Sequence, residues 1–272
     1  MSEHAPVAGL TGWIRAPFEA ADITHEVFER GSGPGIVLLP EIPGMTPEVM
    51  GFADHLVDHG FTVVIPSLFG DPGRPASPGY LAQSVAKVCV STEFRAFATG
   101  AHRPVAGFVR ALAADLAART PGPGVGVIGM CFTGGFALAA AASESVLASV
   151  VSQPAAPFPL GRARKLDPVM SPEELDRVAA RAAAGSVCAL GLRFSEDQTV
   201  PRERFATIAA ALGDAFEVIE LDSSPGNPGG FSRGAHSVLT GEVRERPGHP
   251  AAEARARTVE FLRERLGVPA GA

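Results

Sequence analysis

The chain has 272 residues, 46% of them hydrophobic and 19% charged, with 23 Lys and Arg against 29 Asp and Glu for a formal net charge of −6. That composition excludes a disordered chain, and the acidic balance lacks the basic stripe that a nucleic-acid partner would require. No apolar run approaches the roughly 20 residues of a membrane span, and the opening MSEHAPVAGLTGW lacks the basic-then-apolar pattern of a signal peptide. The three cysteines, at 89, 131 and 188, form no Cys-x-x-Cys pair and no spacing of a metal site, and their odd number leaves a free thiol. The expectation is a cytoplasmic protein with no metal and no cofactor, folded as one domain over residues 1–272. Nothing in the sequence fixes the oligomeric state.

In chain order, segments of opposite period alternate. Ile23 to Arg30 reads as an opening strand that runs into a Gly-Ser-Gly-Pro-Gly break. Ile36 to Pro40 and Phe61 to Pro66 are short apolar runs between turn residues, the pattern of strands buried on both faces. Between them, Glu48 to His59 has helical spacing and is stopped by Gly60. Pro104 to Arg119 is a helix opened by proline. Gly124 to Ile128 is a strand, and Gly134 to Ser143 an alanine-rich helix. Val146 to Val151 is a strand. Pro172 to Ala184 is a helix, with Ser171 and Glu174 spaced as a capping box. Ser186 to Leu192, Pro201 to Leu212 and Ala215 to Leu221 continue as strand, helix and strand, and Ala251 to Leu266 is a closing helix. This alternation predicts an α/β fold, an open and mostly parallel sheet with helices on both faces. Two stretches fall outside it. Leu68 to Arg103 has no clear period and is long enough to form a lid-like or pocket-shaping segment. Asp222 to Ala235 is a turn-rich loop. Both follow strands, so both should lie at the sheet's carboxyl edge, where ligands bind in such folds.

One junction stands apart. The strand ending near Ile128 meets the next helix through Gly129-Met130-Cys131-Phe132-Thr133-Gly134-Gly135. This is the pattern of a nucleophile elbow, the sharp strand–turn–helix of the α/β-hydrolase fold, with cysteine in place of serine and Thr133 where the motif has glycine. A thiol there sits at a helix N-terminus, which favours a thiolate. The plainer reading is a small buried core residue.

A cysteine nucleophile needs a base, and the base needs an acid to orient it. In α/β-hydrolase folds these follow in the chain order nucleophile, acid, base. Asp197 comes just after a predicted strand and His236 beyond the next strand and its loop, so both fit the order and the strand-end location. Glu196 and Asp222 are rival acids. His4, His25, His55, His59, His102 and His249 are the other histidines, and none has both the order and the location. The oxyanion donors expected from this geometry are the backbone N–H groups of Phe132, after the nucleophile, and of Ile42, in the loop after an early strand.

LPEIPG at 39–44, PSLFG at 66–70, the cysteine elbow, EDQTVP at 196–201 and GAHS at 234–237 together resemble the dienelactone hydrolase family, from about Ile36 to Leu266. The resemblance implies a Cys131–Asp197–His236 triad that cleaves a small-molecule ester, lactone or thioester through an acyl-enzyme. It also implies that Glu41 holds the resting cysteine as a neutral thiol until substrate displaces it. The same triad would serve an acyltransferase or thioesterase, and the fold also suits a non-catalytic small-molecule binder. Family members that cleave dienelactone hold the substrate carboxylate with arginines, one shortly after the histidine. Here Ser237-Val238-Leu239-Thr240 follows instead. Arg95 and Arg233 are the nearest substitutes.

Overall fold

The computed structural model describes residues 4–268. In chain order it contains β1 (Ile14–Ala20), β2 (Ile23–Arg30), β3 (Gly35–Leu39), α1 (Pro47–Asp58), β4 (Thr62–Pro66), α2 (Pro78–Val90), α3 (Pro104–Arg119), β5 (Val125–Met130), α4 (Gly134–Ala140) and β6 (Val146–Ser152). It continues with α5 (Arg162–Leu166), α6 (Pro172–Ala183), β7 (Cys188–Phe194), α7 (Arg202–Leu212), β8 (Phe216–Leu221) and α8 (Pro250–Leu266). The strands form one 8-stranded sheet in the order β1-β2-β4-β3-β5-β6-β7-β8. From β4 to β8 all neighbours are parallel, while β2 runs antiparallel to both β1 and β4.

The central strands explain their own sequences. Every residue of β3, β4 and β5 is buried, so each reads as an unbroken apolar run. Alternate residues serve opposite layers. Val37, Leu39, Val125 and Val127 face a core built with α3, α4, α6 and α7. Ile36, Leu38, Ile128 and Met130 face a second core built with α1 and α8. The predicted capping box closes the start of α6: Ser171 Oγ accepts from Glu174 N–H at 3.2 Å, and Glu174 Oε2 accepts from Ser171 N–H at 3.0 Å.

The sheet starts one strand earlier than the sequence pattern predicts. β1 is largely exposed and contains Pro17, so it carries little apolar alternation. It joins β2 through Ala21 and Asp22, both at positive φ, 54° and 59°, as a two-residue hairpin turn requires. The unassigned stretch 68–103 contains α2, whose N-terminus is capped by Ser77. Only Tyr80, Ser84 and Val88 of that helix are buried, which is why its apolar period is faint. No described helix is long and apolar enough to cross a membrane.

Candidate active site

At the carboxyl end of β5 the chain turns through Cys131–Thr133 directly into α4. Cys131 has φ 55°, a left-handed conformation that a non-glycine residue adopts only when its surroundings impose it. The tightness of the bend shows at Gly129, where an added Cβ would lie 2.3 Å from the Thr133 carbonyl oxygen. Thr133, in a position the motif gives to glycine, is fully buried and braces the turn. Its Oγ1 accepts from Met130 N–H at 3.0 Å and lies 2.9 Å from Met130 O, 3.1 Å from Leu39 O and 3.2 Å from Pro40 O. The hydroxyl therefore ties the elbow to the end of β3 and to the loop that carries Glu41 and Ile42.

Asp197 lies in the turn after β7, and His236 lies beyond β8. The Asp222–Ala235 loop that delivers the histidine has a built interior. Asn227 donates to the carbonyls of Ser224 and Phe231 and accepts from Phe231 N–H. Phe231 is buried, with its ring 4.8 Å from that of Phe194 and 5.2 Å from that of His249. His236 Nδ1 and Asp197 Oδ2 are 2.5 Å apart. The other carboxylate oxygen, Oδ1, accepts from Thr199 N–H at 2.9 Å and Thr199 Oγ1 at 2.7 Å. Burial works against a charged Asp197, but the bonds from His236 and Thr199 outweigh it and lower its pKa. Burial likewise opposes an imidazolium at His236. Interactions with Cys131 and with the Asp197 carboxylate prevail, so the His236 pKa lies well above its ordinary value. The structure thus brings Cys131, His236 and Asp197 to one cavity, with His236 and Asp197 bonded to each other.

Around Cys131 lies a cavity of about 580 Å³. Ile42, Leu81, Val85, Phe132, Ala155 and Phe158 give it apolar walls, so α2, from the stretch left unassigned by sequence, supplies one side. Phe132 is held in an edge-on aromatic cluster with Phe69, Phe94 and Phe136. Ile42 and Phe132, whose amides are the expected oxyanion donors, both border the cavity beside Cys131.

Glu41 is buried at the same cavity, and its carboxylate is held by neutral donors. Oε2 accepts from Ser237 Oγ at 2.8 Å and Gln153 Nε2 at 3.2 Å, and Oε1 accepts from Thr240 Oγ1. Ser237 and Thr240, in the segment where relatives are expected to place an arginine, therefore serve Glu41. Sequence reading passed over them and Gln153. The spacing of the two hydroxyls after His236 was the available signal. The two arginines separate. Arg233 lines the cavity and pairs with Glu196 at 3.2 Å. Arg95 is not brought to the cavity. It is exposed, and its guanidinium donates to the His102 carbonyl at 3.2 Å. The rival acid Asp222 is spent on its own turn, where it accepts from Ser224 N–H. Among the described residues, no group of three or more His, Cys, Asp or Glu is arranged to hold a metal ion.

A sharp elbow at the carboxyl edge of a mostly parallel sheet, sharing a cavity with an aspartate and a histidine from two later loops, defines an α/β-hydrolase fold. Residues 24–266 match the Dienelactone hydrolase family. The chain is 30% identical over 250 residues to a carboxymethylenebutenolidase of Rhodococcus opacus, spanning 90% of this chain and 86% of that protein. Among solved structures it is similar to a dienelactone hydrolase-like promiscuous phosphotriesterase from metagenomic libraries, with TM-score 0.64, 16% identity, and coverage of 94% of this chain and 98% of that one. A putative dienelactone hydrolase from Klebsiella pneumoniae subsp. pneumoniae superposes with TM-score 0.59 and 16% identity over 93% of this chain and 99% of that one. The chain belongs to the dienelactone hydrolase family, and it is an ester- or lactone-cleaving hydrolase.

Proposed function

We propose that the protein cleaves its ester or lactone through an acyl-enzyme formed on Cys131. The grouping of Cys131, His236 and Asp197 at one cavity, with His236 bonded to Asp197, carries this reading. The Cys131 thiolate attacks the acyl carbon, and the developing oxyanion faces the Phe132 and Ile42 amides, each such donor contributing about 3–4 kcal/mol at the transition state. His236, as imidazolium, gives its proton to the departing alkoxide, the acyl C–O bond breaks, and a thioester remains. The neutral imidazole then takes a proton from water as the hydroxide adds to the thioester. The carbon–sulfur bond breaks, and carboxylic acid, thiolate and imidazolium result. Asp197 fixes the ring so that Nε2 faces the sulfur. Glu41, held by Gln153, Ser237 and Thr240, borders the same cavity and keeps the resting cysteine a neutral thiol until substrate displaces its carboxylate.

The test is steady-state turnover of a panel of small esters, lactones and thioesters by wild type and Cys131→Ala, with intact-mass spectrometry of His236→Ala after substrate addition. Turnover lost in Cys131→Ala, and an acyl adduct accumulating on Cys131 when His236 is missing, are expected. Full activity in Cys131→Ala, or a single stoichiometric release of product with no turnover in wild type, would overturn the reading.

A further inference from the structure

Among the described residues that line the cavity, the groups able to carry positive charge are Arg233 and His236, set against the acidic side chains of Glu41, Glu196 and Asp197. His236 is matched by the Asp197 carboxylate, 2.5 Å from its Nδ1. Arg233 is matched by Glu196, whose Oε2 lies 3.2 Å from Nη2. Glu196 does not stand on a loose loop. Its N–H donates to Ser223 Oγ at 3.1 Å, Ser223 N–H donates to Ser195 Oγ at 3.0 Å, and Ser195 N–H donates to Leu221 O at 2.9 Å. The turn after β7 is thereby stitched to the end of β8, with the carboxylate aimed at the Arg233 loop. Arg244 lies over the adjoining hollow beside Glu41 and donates to the carbonyls of Gly241 and Val243. The remaining surface offered to a ligand carries no charge and is mostly apolar: Leu81 and Val85 from α2, with Ala155 and Phe158, beside the neutral polar side chains of Gln198, Thr199 and Ser237.

We propose that the acyl group accepted at Cys131 is uncharged and apolar, and that Glu196 sets this preference by occupying Arg233 and turning carboxylate-bearing substrates away. This rests on the acyl-enzyme reading above and narrows it to a substrate class. A substrate carboxylate reaching Arg233 must displace Glu196 and then share the cavity with Asp197 and Glu41. Rejection by like charge is a recognised route to specificity.

Phenyl hexanoate and phenyl hydrogen adipate share leaving group and chain length and differ in a terminal carboxylate. Wild type is expected to favour the hexanoate by about tenfold or more in kcat/KM. Glu196→Gln frees Arg233 and should narrow that ratio by about two- to fivefold, the range of an exposed ion pair, with the gain erased by salt. Arg233→Gln should move it the other way. A second measurement needs no turnover: protection of Cys131 from alkylation by iodoacetamide, read by peptide mass spectrometry, with hexanamide or 6-amino-6-oxohexanoate as the protecting ligand. Hexanamide is expected to protect at lower concentration. Equal or better use of the adipate, equal or better protection by the anionic amide, or a ratio unmoved by Glu196→Gln overturns the proposal. Failure of the acyl-enzyme reading itself appears separately, as turnover that survives Cys131→Ala.

Discussion

Replacing Thr133 isolates what holds the elbow to the loop facing it. The side chain is fully buried. Its oxygen accepts from Met130 N–H at 3.0 Å, and its single hydrogen is shared among Met130 O at 2.9 Å, Leu39 O at 3.1 Å and Pro40 O at 3.2 Å. Thr133→Val keeps the shape and removes the oxygen. Two net hydrogen bonds at about 1 kcal/mol each are lost, and a buried N–H goes unpaired, so the cost is about 2–3 kcal/mol. Thr133→Ser keeps the oxygen and loses one methyl group, about 1 kcal/mol. Thr133→Gly restores the usual motif residue but loses both and adds backbone freedom, so it should be the least stable of the three. Urea unfolding at neutral pH, read as a shift in midpoint at constant slope, gives the order. Activity should follow the oxygen: kcat falls in the Val variant with KM little changed, because the loop carrying Ile42 loosens, and the Ser variant retains it. A Val variant as stable and active as wild type, or a Ser variant worse than Val, would refute the bracing role.

Asp197→Asn should keep the fold and lower kcat by about 10²–10⁴, since an amide cannot hold the imidazolium; a loss below threefold would remove Asp197 from the proposed triad. Arg204 is fully buried, its pKa drawn down to about 10 by burial, and it donates to the carbonyls of Pro154, Pro157, Arg164 and Asp167. Arg204→Met leaves those carbonyls without their donor and should destabilise by about 3–5 kcal/mol. Hydrogen exchange should rise first in the 154–167 loop that brings Ala155 and Phe158 to the cavity, and unchanged exchange there would count against a positioning role. His55 has a pKa lowered to about 3 by burial and by the nearby charges of Arg255 and His59. Its folded value lies below its unfolded one, so its contribution is complete above pH 6.5 and is lost as pH falls from there toward 3. His55→Gln should therefore flatten the acid limb of a stability–pH curve, and an acid limb as steep as that of wild type would contradict the assignment.

The elements that sequence reveals best are those whose burial leaves no choice of residue. β3, β4 and β5 are apolar throughout because helices cover both faces, and their bounds fall within two residues of the sequence reading. β1 escaped because an exposed edge strand has little need of alternation, and its hairpin turn uses Ala21-Asp22 where Asn-Gly or Asp-Gly would have announced it. α2 escaped because most of its surface faces solvent or the cavity, although Ser77-Pro78 marks its start. At the site, chain order and strand ends singled out the histidine that the structure sets against Asp197. The partners of Glu41 were not legible, because hydroxyls from a distant loop carry no periodic signal. The placement of Arg95 was not legible either, since a charge read from sequence has no direction.

The backbone at Cys131 sets stability against chemistry. A left-handed φ of 55° is comfortable for glycine and strained for cysteine. A Cys131→Gly chain should relax that bend and, if Cys131 is the nucleophile proposed above, become sturdier and inert. On the acyl-enzyme proposal, stability and turnover therefore pull in opposite directions at this one residue.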